Sequence, residues 1–199
     1  MNRNIHPVFD RYLQRDDKEQ MLNQKGCAVW LTGLSGSGKT TIAQNVEQEL
    51  AYRNIITHVL DGDNIRTGIC SNLGFTDADR AENIRRAAEV SRLFVECGIV
   101  VIICVISPTA KMREHARAII GSGDFVEVFV DAPLEECEAR DVKGLYGKAR
   151  SGNLKGFTGV HTPYERPEHP DVHLDTMQGT VESCVQQVLS FVLRRIQLS

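Results

Sequence analysis

Short apolar runs alternate along the chain with longer stretches whose apolar residues recur every three or four positions. Ala28-Val29-Trp30-Leu31-Thr32 is the first run and predicts a strand. Ile42, Ala43, Val46 and Leu50 then mark one face of a helix. Ile56 to Leu60 predicts a second strand. From about Asp77 to Cys97, the residues Ile84, Ala87, Ala88, Ser91, Phe94 and Val95 form one stripe. Thr76, with Asp79 three residues on, resembles a capping box at its start, and Gly98 is a natural stop. Ile99 to Ile106 is apolar on both faces and predicts the central strand of a parallel sheet. Pro108 to Ile120 reads as helix, Phe125 to Val130 as strand, and Pro133 to Arg140 opens another helix. Residues 143–171 are rich in Gly, Pro, Lys and Arg and follow neither period. A loop of that length in a compact domain is usually functional. Val172 to Leu174 predicts a short last strand. Val181, Cys184, Val185, Val188, Leu189, Val192 and Ile196 face one way on a final helix.

Strands alternating with helices predict an α/β fold, a three-layer sandwich with a parallel sheet between helices on both faces. In such sheets ligands bind beyond the C-terminal ends of the strands. The 199 residues suit one domain, expected over 25–199, after a polar N-terminal extension over 1–24. No internal repeat or low-complexity linker interrupts it. With 42% hydrophobic residues the chain can bury a core without covalent staples. A net charge of −3 gives no support to a nucleic-acid partner, so affinity for anions must come from a local cluster of Lys and Arg. Met1 to His6 contains no apolar signal core, and Ile99 to Ile106 is too short to span a bilayer. A cytoplasmic protein with no membrane partner is expected. No two of the six cysteines form a Cys-x-x-Cys pair, so buried reduced thiols are expected rather than a zinc or dithiol site.

The chemistry begins after the first strand. Gly33-Leu34-Ser35-Gly36-Ser37-Gly38-Lys39-Thr40 fits the phosphate-loop pattern G-x-x-x-x-G-K-[ST], between a predicted strand and a predicted helix. Glycines let the backbone wrap phosphates, and the helix N-terminus adds a positive dipole. Lys39 is expected to reach the β- and γ-phosphates of ATP, and the Thr40 hydroxyl to ligate Mg²⁺. This loop specifies a nucleotide, not a reaction. The small size of the chain and the lack of an Asn-Lys-x-Asp guanine-reading motif favour a kinase.

The second strand ends in Leu60-Asp61-Gly62-Asp63-Asn64-Ile65-Arg66. Two carboxylates there can hold Mg²⁺ through water or accept a proton from an attacking hydroxyl. Arg66 offers a bidentate fork to an anion. In the block Leu73 to Arg86, Arg80 and Asn83 are three apart and share a helix face. The plain alternatives are a polar turn for the first segment and a solvated helix face for the second.

Four segments taken together resemble the adenylylsulfate kinases. They are the phosphate loop, Leu60 to Arg66, Leu73 to Arg86, and a discontinuous fourth. The fourth comprises Phe129 to Leu134, Arg140-Asp141-Val142-Lys143-Gly144-Leu145-Tyr146, Gly156-Phe157-Thr158-Gly159 and Pro163-Tyr164-Glu165. The likeness spans roughly residues 25–195. It implies a P-loop NTPase-type fold and transfer of the γ-phosphoryl of MgATP to the 3′-hydroxyl of adenosine 5′-phosphosulfate (APS). Asp63 would be the base for that hydroxyl, and Asp61 would organise the Mg²⁺ shell with Thr40. Phe75 and Phe157 would clamp the acceptor adenine, an arrangement aromatic rings favour. Arg66, Arg80 and Asn83 would hold the phosphosulfate and ribose, with Asn64, Ile106, Ser107 and Gly156 also at the acceptor. Thr41 and Arg140 would join the phosphate loop at ATP. Lys143 would approach the phosphates from a mobile lid over 143–160, whose closure excludes water. In bacterial members the serine matching Ser107 has been labelled a phosphoserine intermediate, although in-line transfer needs none. The family also suggests a homodimer. Thr67, where His is often found, and His161, where Asp or Ser is, depart from the family pattern beside the site.

Three other functions fit parts of the sequence. A gluconate- or shikimate-type kinase would share the phosphate loop, but two aromatic clamps suit a flat base better than a sugar acid. A catalytically silent module that binds phosphosulfate nucleotides should have lost phosphate-loop residues, and Lys39, Thr40, Asp61 and Asp63 are all present. A nucleotide-binding interaction protein docking through the last helix is less simple than that helix packing on the sheet.

Overall fold

The computed structural model describes residue 4 and residues 6–198. Most of the Met1 to His6 stretch read for a targeting signal lies outside them. Five strands make one parallel sheet: β1 (Cys27–Thr32), β2 (Thr57–Asp61), β3 (Val100–Cys104), β4 (Phe125–Asp131) and β5 (Val172–Asp175). Their order across the sheet is β2-β3-β1-β4-β5. The central strand is therefore β1, and the expectation that Ile99 to Ile106 takes the centre is corrected. Both β1 and β3 have neighbours on either edge and are buried along their whole length. Hydropathy responds to burial and cannot rank two strands that are equally covered.

Alternation along the strands divides the interior into two cores. Val29 and Leu31 of β1 and Ile102 of β3 face α2 (Lys39–Tyr52) and α8 (Val181–Ile196). Ala28 and Trp30 of β1, with Val101 and Ile103 of β3, face α4 (Asp77–Val95) and α5 (Ala110–Ile120). The helical stripes read from the sequence on α2, α4 and α8 supply the matching surfaces. The result is a helix–sheet–helix sandwich of the expected class. Five cysteines are buried and Cys97 is exposed, and all six are free thiols.

The N-terminal stretch carries α1 (Arg15–Leu22), fastened to the body of the domain. The Arg15 guanidinium grips Asp124 through two hydrogen bonds of 2.6 and 2.8 Å. Glu19, 5% exposed, accepts from Arg15 at 2.7 Å and from the Gly26 amide at 2.9 Å. The Gln24 side chain donates to the carbonyls of Gly98 and Ile56 and accepts from the Ile56 amide. A carboxylate and an amide this buried are tolerated because each is bonded.

Reversal of chain direction across the sheet sets the location of the site. The chain steps from β1 outward to β2 and back to β3, then crosses to β4 on the other side of β1. Loops after β1 and β3 diverge at that switch and leave a crevice. No helix among the described residues is long and apolar enough to cross a membrane.

Candidate active site

The crevice is a cleft of about 1290 Å³ bounded by the loops after β1, β2 and β3 and by the segment 140–157. The phosphate loop forms its floor. Gly33 (φ +150) lies where a Cβ would meet the Val130 carbonyl oxygen at 2.4 Å, so no larger residue fits. Gly38, at φ +104, turns the chain into α2 in a conformation that L side chains rarely adopt. The N-terminus of α2 and its free amides therefore face the cleft, a ready-made anion site.

Lys39 is 9% exposed and its Nζ donates to the carbonyls of Gly33 at 2.9 Å and Leu34 at 2.7 Å. Burial lowers its pKa from the ordinary lysine value to about 8. Thr40 donates to Asp61 Oδ2 at 2.9 Å, and Asp61 Oδ1 accepts the Asp63 amide at 2.9 Å. Asp61 thereby caps α3 (Gly62–Thr67), a short helix in a stretch the sequence showed only as a polar turn. The hydroxyl and carboxylate that could hold Mg²⁺ are already side by side. Among the described residues no group of three or more His, Cys, Asp or Glu gathers to hold a metal. That donor set fits Mg²⁺, which takes one or two protein oxygens and fills its octahedron with waters and phosphates.

Asp63 reaches into the cleft and forms an ion pair with Lys143. The pairing raises the Lys143 pKa. Asn64, Arg66, Phe75, Arg80 and Asn83 line the same cleft, opposite the phosphate loop. The Arg66 guanidinium lies 4.4 Å over the exposed Phe75 ring and donates to the Gly74 carbonyl at 2.9 Å. Arg80 donates to the Phe75 carbonyl at 3.0 Å, to Thr158 Oγ1 at 2.8 Å and to the Gly156 carbonyl. It thus ties this wall of the cleft to the segment expected as a lid. Burial lowers the Arg80 pKa. The Asn83 Oδ1 atom and the Ser37 hydroxyl are buried with no protein partner. Both residues line the cleft, so these are polar atoms that a ligand can satisfy.

Ser107 follows β3 in a left-handed conformation, φ +39, which strains a residue carrying a Cβ. Its hydroxyl accepts from Trp30 Nε1 at 3.1 Å and donates to Thr32 Oγ1 at 2.9 Å. Thr32 spends its own proton on the Ile106 carbonyl at 2.7 Å and so accepts from Ser107 and from the Tyr164 hydroxyl at 2.8 Å. Arg113, 4% exposed, donates to the Ser107 carbonyl at 3.0 Å and pairs with Glu127 at 2.9 Å. The strained turn is held from both sides.

Of the predicted site residues, Ser35 through Thr41, Asp61, Asp63, Asn64, Arg66, Phe75, Arg80, Asn83, Ile106, Ser107, Arg140, Lys143 and Phe157 line this one cleft. Gly33, Leu34 and Gly156 do not. Gly33 and Leu34 act through carbonyls that hold Lys39, and Gly156 through the carbonyl that holds Arg80. The Leu34 side chain packs into a third, smaller core with Cys137, Tyr146, Ala149 and Phe157. Arg140, at the end of α6 (Leu134–Arg140), donates to the Gly36 carbonyl at 3.3 Å. The segment 143–160 includes a helix, α7 (Leu145–Arg150), where neither period was legible. Gly144 is its N-cap, and Asp141, three residues earlier, accepts the amides of Tyr146 and Gly147 at 3.0 Å each. Those backbone bonds lower the Asp141 pKa. Sequence reasoning missed Asp141, Tyr146, Thr32, Tyr164 and Arg113 as supports of the site.

Known proteins resemble this chain over most of its length. A family model described as adenylylsulphate kinase matches residues 25–175. An adenylyl-sulfate kinase of Bacteroides fragilis is 56% identical over 195 residues, covering 98% of this chain and 96% of its own length. One from Bacteroides thetaiotaomicron is 55% identical over 193 residues, covering 97% and 96%. The solved structure of Mycobacterium tuberculosis APS kinase CysC, in complex with AMPPNP and APS, superposes with a TM-score of 0.82 at 46% identity. It covers 85% of this chain and 98% of that one. With its phosphate loop, paired carboxylates and aromatic wall gathered in one cleft, the chain belongs to the adenylylsulphate kinase family.

Proposed function

We propose that the protein transfers the γ-phosphoryl group of MgATP to the 3′-hydroxyl of APS, giving 3′-phosphoadenosine 5′-phosphosulfate and ADP. The observation that carries the proposal is the joint lining of one cleft by the phosphate loop and, across from it, by Asp63, Arg66, Arg80, Phe75 and Phe157. The M. tuberculosis relative is described with a nucleotide analogue and APS together, which supports the same pairing of ligands here.

The chemistry follows from the placement. The phosphate loop and Lys39 hold the triphosphate. Thr40 and Asp61 would hold Mg²⁺, which would neutralise charge on the phosphates. Lys143 exchanges Asp63 for phosphate oxygens, and the freed Asp63 carboxylate takes the proton of the 3′-hydroxyl. That oxygen attacks the γ-phosphorus in line, and the bond to the β-phosphate oxygen breaks with its electron pair leaving on ADP. Arg66 and Arg80 hold the phosphosulfate, and the two aromatic rings hold the adenine. Segment 143–160 closes over the nucleotides and keeps water from the γ-phosphate. Ser107 lies against the acceptor side with its proton committed to Thr32 and its oxygen engaged by Trp30. That commitment supports direct transfer over a phosphoserine intermediate. The homodimer and the cytoplasmic location belong to the same proposal. Light scattering that returns the mass of one chain would remove the dimer.

The test is ADP release by the purified protein with MgATP, with and without APS, and the nucleotide product identified by mass. APS-dependent ADP with a 3′-phosphorylated product is expected. ADP formed only with another acceptor would discard the acceptor wall as read. Tight APS binding without turnover would favour the silent module.

A further inference from the structure

Tyr146 carries no assigned part in the transfer, yet it touches both halves of the cleft. It lies on α7 and is 3% exposed. Its hydroxyl donates to the carbonyl of Ser35, in the middle of the phosphate loop, at 2.9 Å. The same ring meets Phe157 edge-on, with centroids 5.0 Å apart and an interplanar angle of 89°. Phe157 lines the cleft on the acceptor side, and its neighbours Gly156 and Thr158 are gripped by Arg80 of α4. The Tyr146 backbone is itself pinned by Asp141.

A phenol fixed at its hydroxyl, its face and its backbone cannot turn without disturbing all three. Packing alone would be served equally well by a phenylalanine. A tyrosine hydroxyl in this small core is costly unless bonded, and here it is bonded to the loop that takes the phosphates. We infer that Tyr146 is the positioning residue that couples the two substrates: phosphates bound in the loop fix the Ser35 carbonyl, this sets the Tyr146 ring, and its contact with Phe157 sets the wall that receives the acceptor base. Because coupling between two bound ligands is reciprocal, the acceptor tightens the nucleotide by the same factor. The inference rests on the proposed substrates.

The experiment measures dissociation constants of the full chain for AMPPNP alone, APS alone, and each with the other saturating, so that nothing turns over. In the wild type each ligand should tighten the other at least roughly fivefold. In Tyr146→Phe, which keeps the ring and the edge contact, that ratio should fall towards one, whatever happens to the separate affinities. Phe157→Leu, which keeps the Tyr146 hydroxyl on Ser35, should lose the ratio as well, and it decides the matter if the first variant does not fold. A merely structural role would weaken both ligands and leave the ratio intact. A folded Tyr146→Phe protein with the wild-type ratio overturns the inference, as does a wild-type ratio of one. A wild type that binds AMPPNP but not APS, even with AMPPNP saturating, overturns the functional reading, and the coupling with it. That result is told apart from the others by the missing ternary complex, whereas APS that binds only beside AMPPNP is the coupling at its strongest.

Discussion

Lys39 shows how burial tunes a single group for its ligand. Taking an ammonium out of water favours its neutral form, and its pKa falls to about 8. Cys104, Cys137, Lys143 and Asp61 act on it with smaller effects. Phosphate oxygens favour the charged form, so the bound state holds more protons than the free one above about pH 8. ATP binding should therefore take up a proton at pH 9 but not at pH 6.5, and affinity should fall as pH rises through 8. Calorimetry in buffers of different ionisation enthalpy reads this directly, and equal proton uptake at both pH values would contradict it. Asp63 and Ser107 separate by the same kind of reasoning. Asp63→Asn should lower turnover by at least ~10²-fold with ATP affinity largely kept, the loss expected of a missing general base. Ser107→Ala should retain substantial turnover, because the hydroxyl is spent on Trp30 and Thr32. A dead but folded alanine variant would revive the covalent route. The phosphate loop and the two carboxylates were legible in the sequence, since their chemistry needs those residue types at that spacing. The engagement of Ser107 was not, because its partners lie 75 and 77 residues away.

At the scale of elements, the long helices announced themselves and the short ones did not. The 19 residues of α4 give a stripe several turns long, and Thr76 and Asp79 cap it reciprocally as read. The six residues of α3 and of α7 are too few for a period to emerge. Each is started by a side chain that captures amides: Asp61 for α3 and Asp141 for α7. Asp141→Ala should destabilise α7 by about 1 kcal/mol, as expected for loss of a side chain that accepts first-turn amides. Hydrogen exchange should show faster amides over 145–150 with the strands unchanged. Unaltered protection of α7 would deny Asp141 that part. Residues 143–171 stood out in the sequence by their length and composition. Partners that hold segment 143–160, Asp63 for Lys143, Ser35 for Tyr146 and Arg80 for residues 156 and 158, come from elsewhere in the chain.

For the whole molecule, one buried ion pair joins the sheet to the strained turn at the site. Glu127 of β4, 8% exposed, faces Arg113 of α5 at 2.9 Å, with Arg117 at 3.2 Å. Arg113 in turn holds the Ser107 carbonyl. Removing one partner leaves the other charged and out of water, which costs far more than the pair contributes. Glu127→Ala should lose about 3–5 kcal/mol in urea unfolding. A loss under about 1 kcal/mol would mean that Arg113 finds water or another partner.

The sequence by itself determined the α/β class, the sites of all five strands and the long helices, the phosphate loop and the identity of the residues facing it. These follow from local periodicity and from motifs whose members are neighbours in the chain. Tertiary structure alone decided that β1 and not β3 is central, because burial makes the two strands equally apolar. It also decided which residues support the site without touching substrate. Tyr146, Tyr164 and Thr32 have roles fixed by partners far away in sequence, and no local pattern encodes a contact between residues that only the fold brings together.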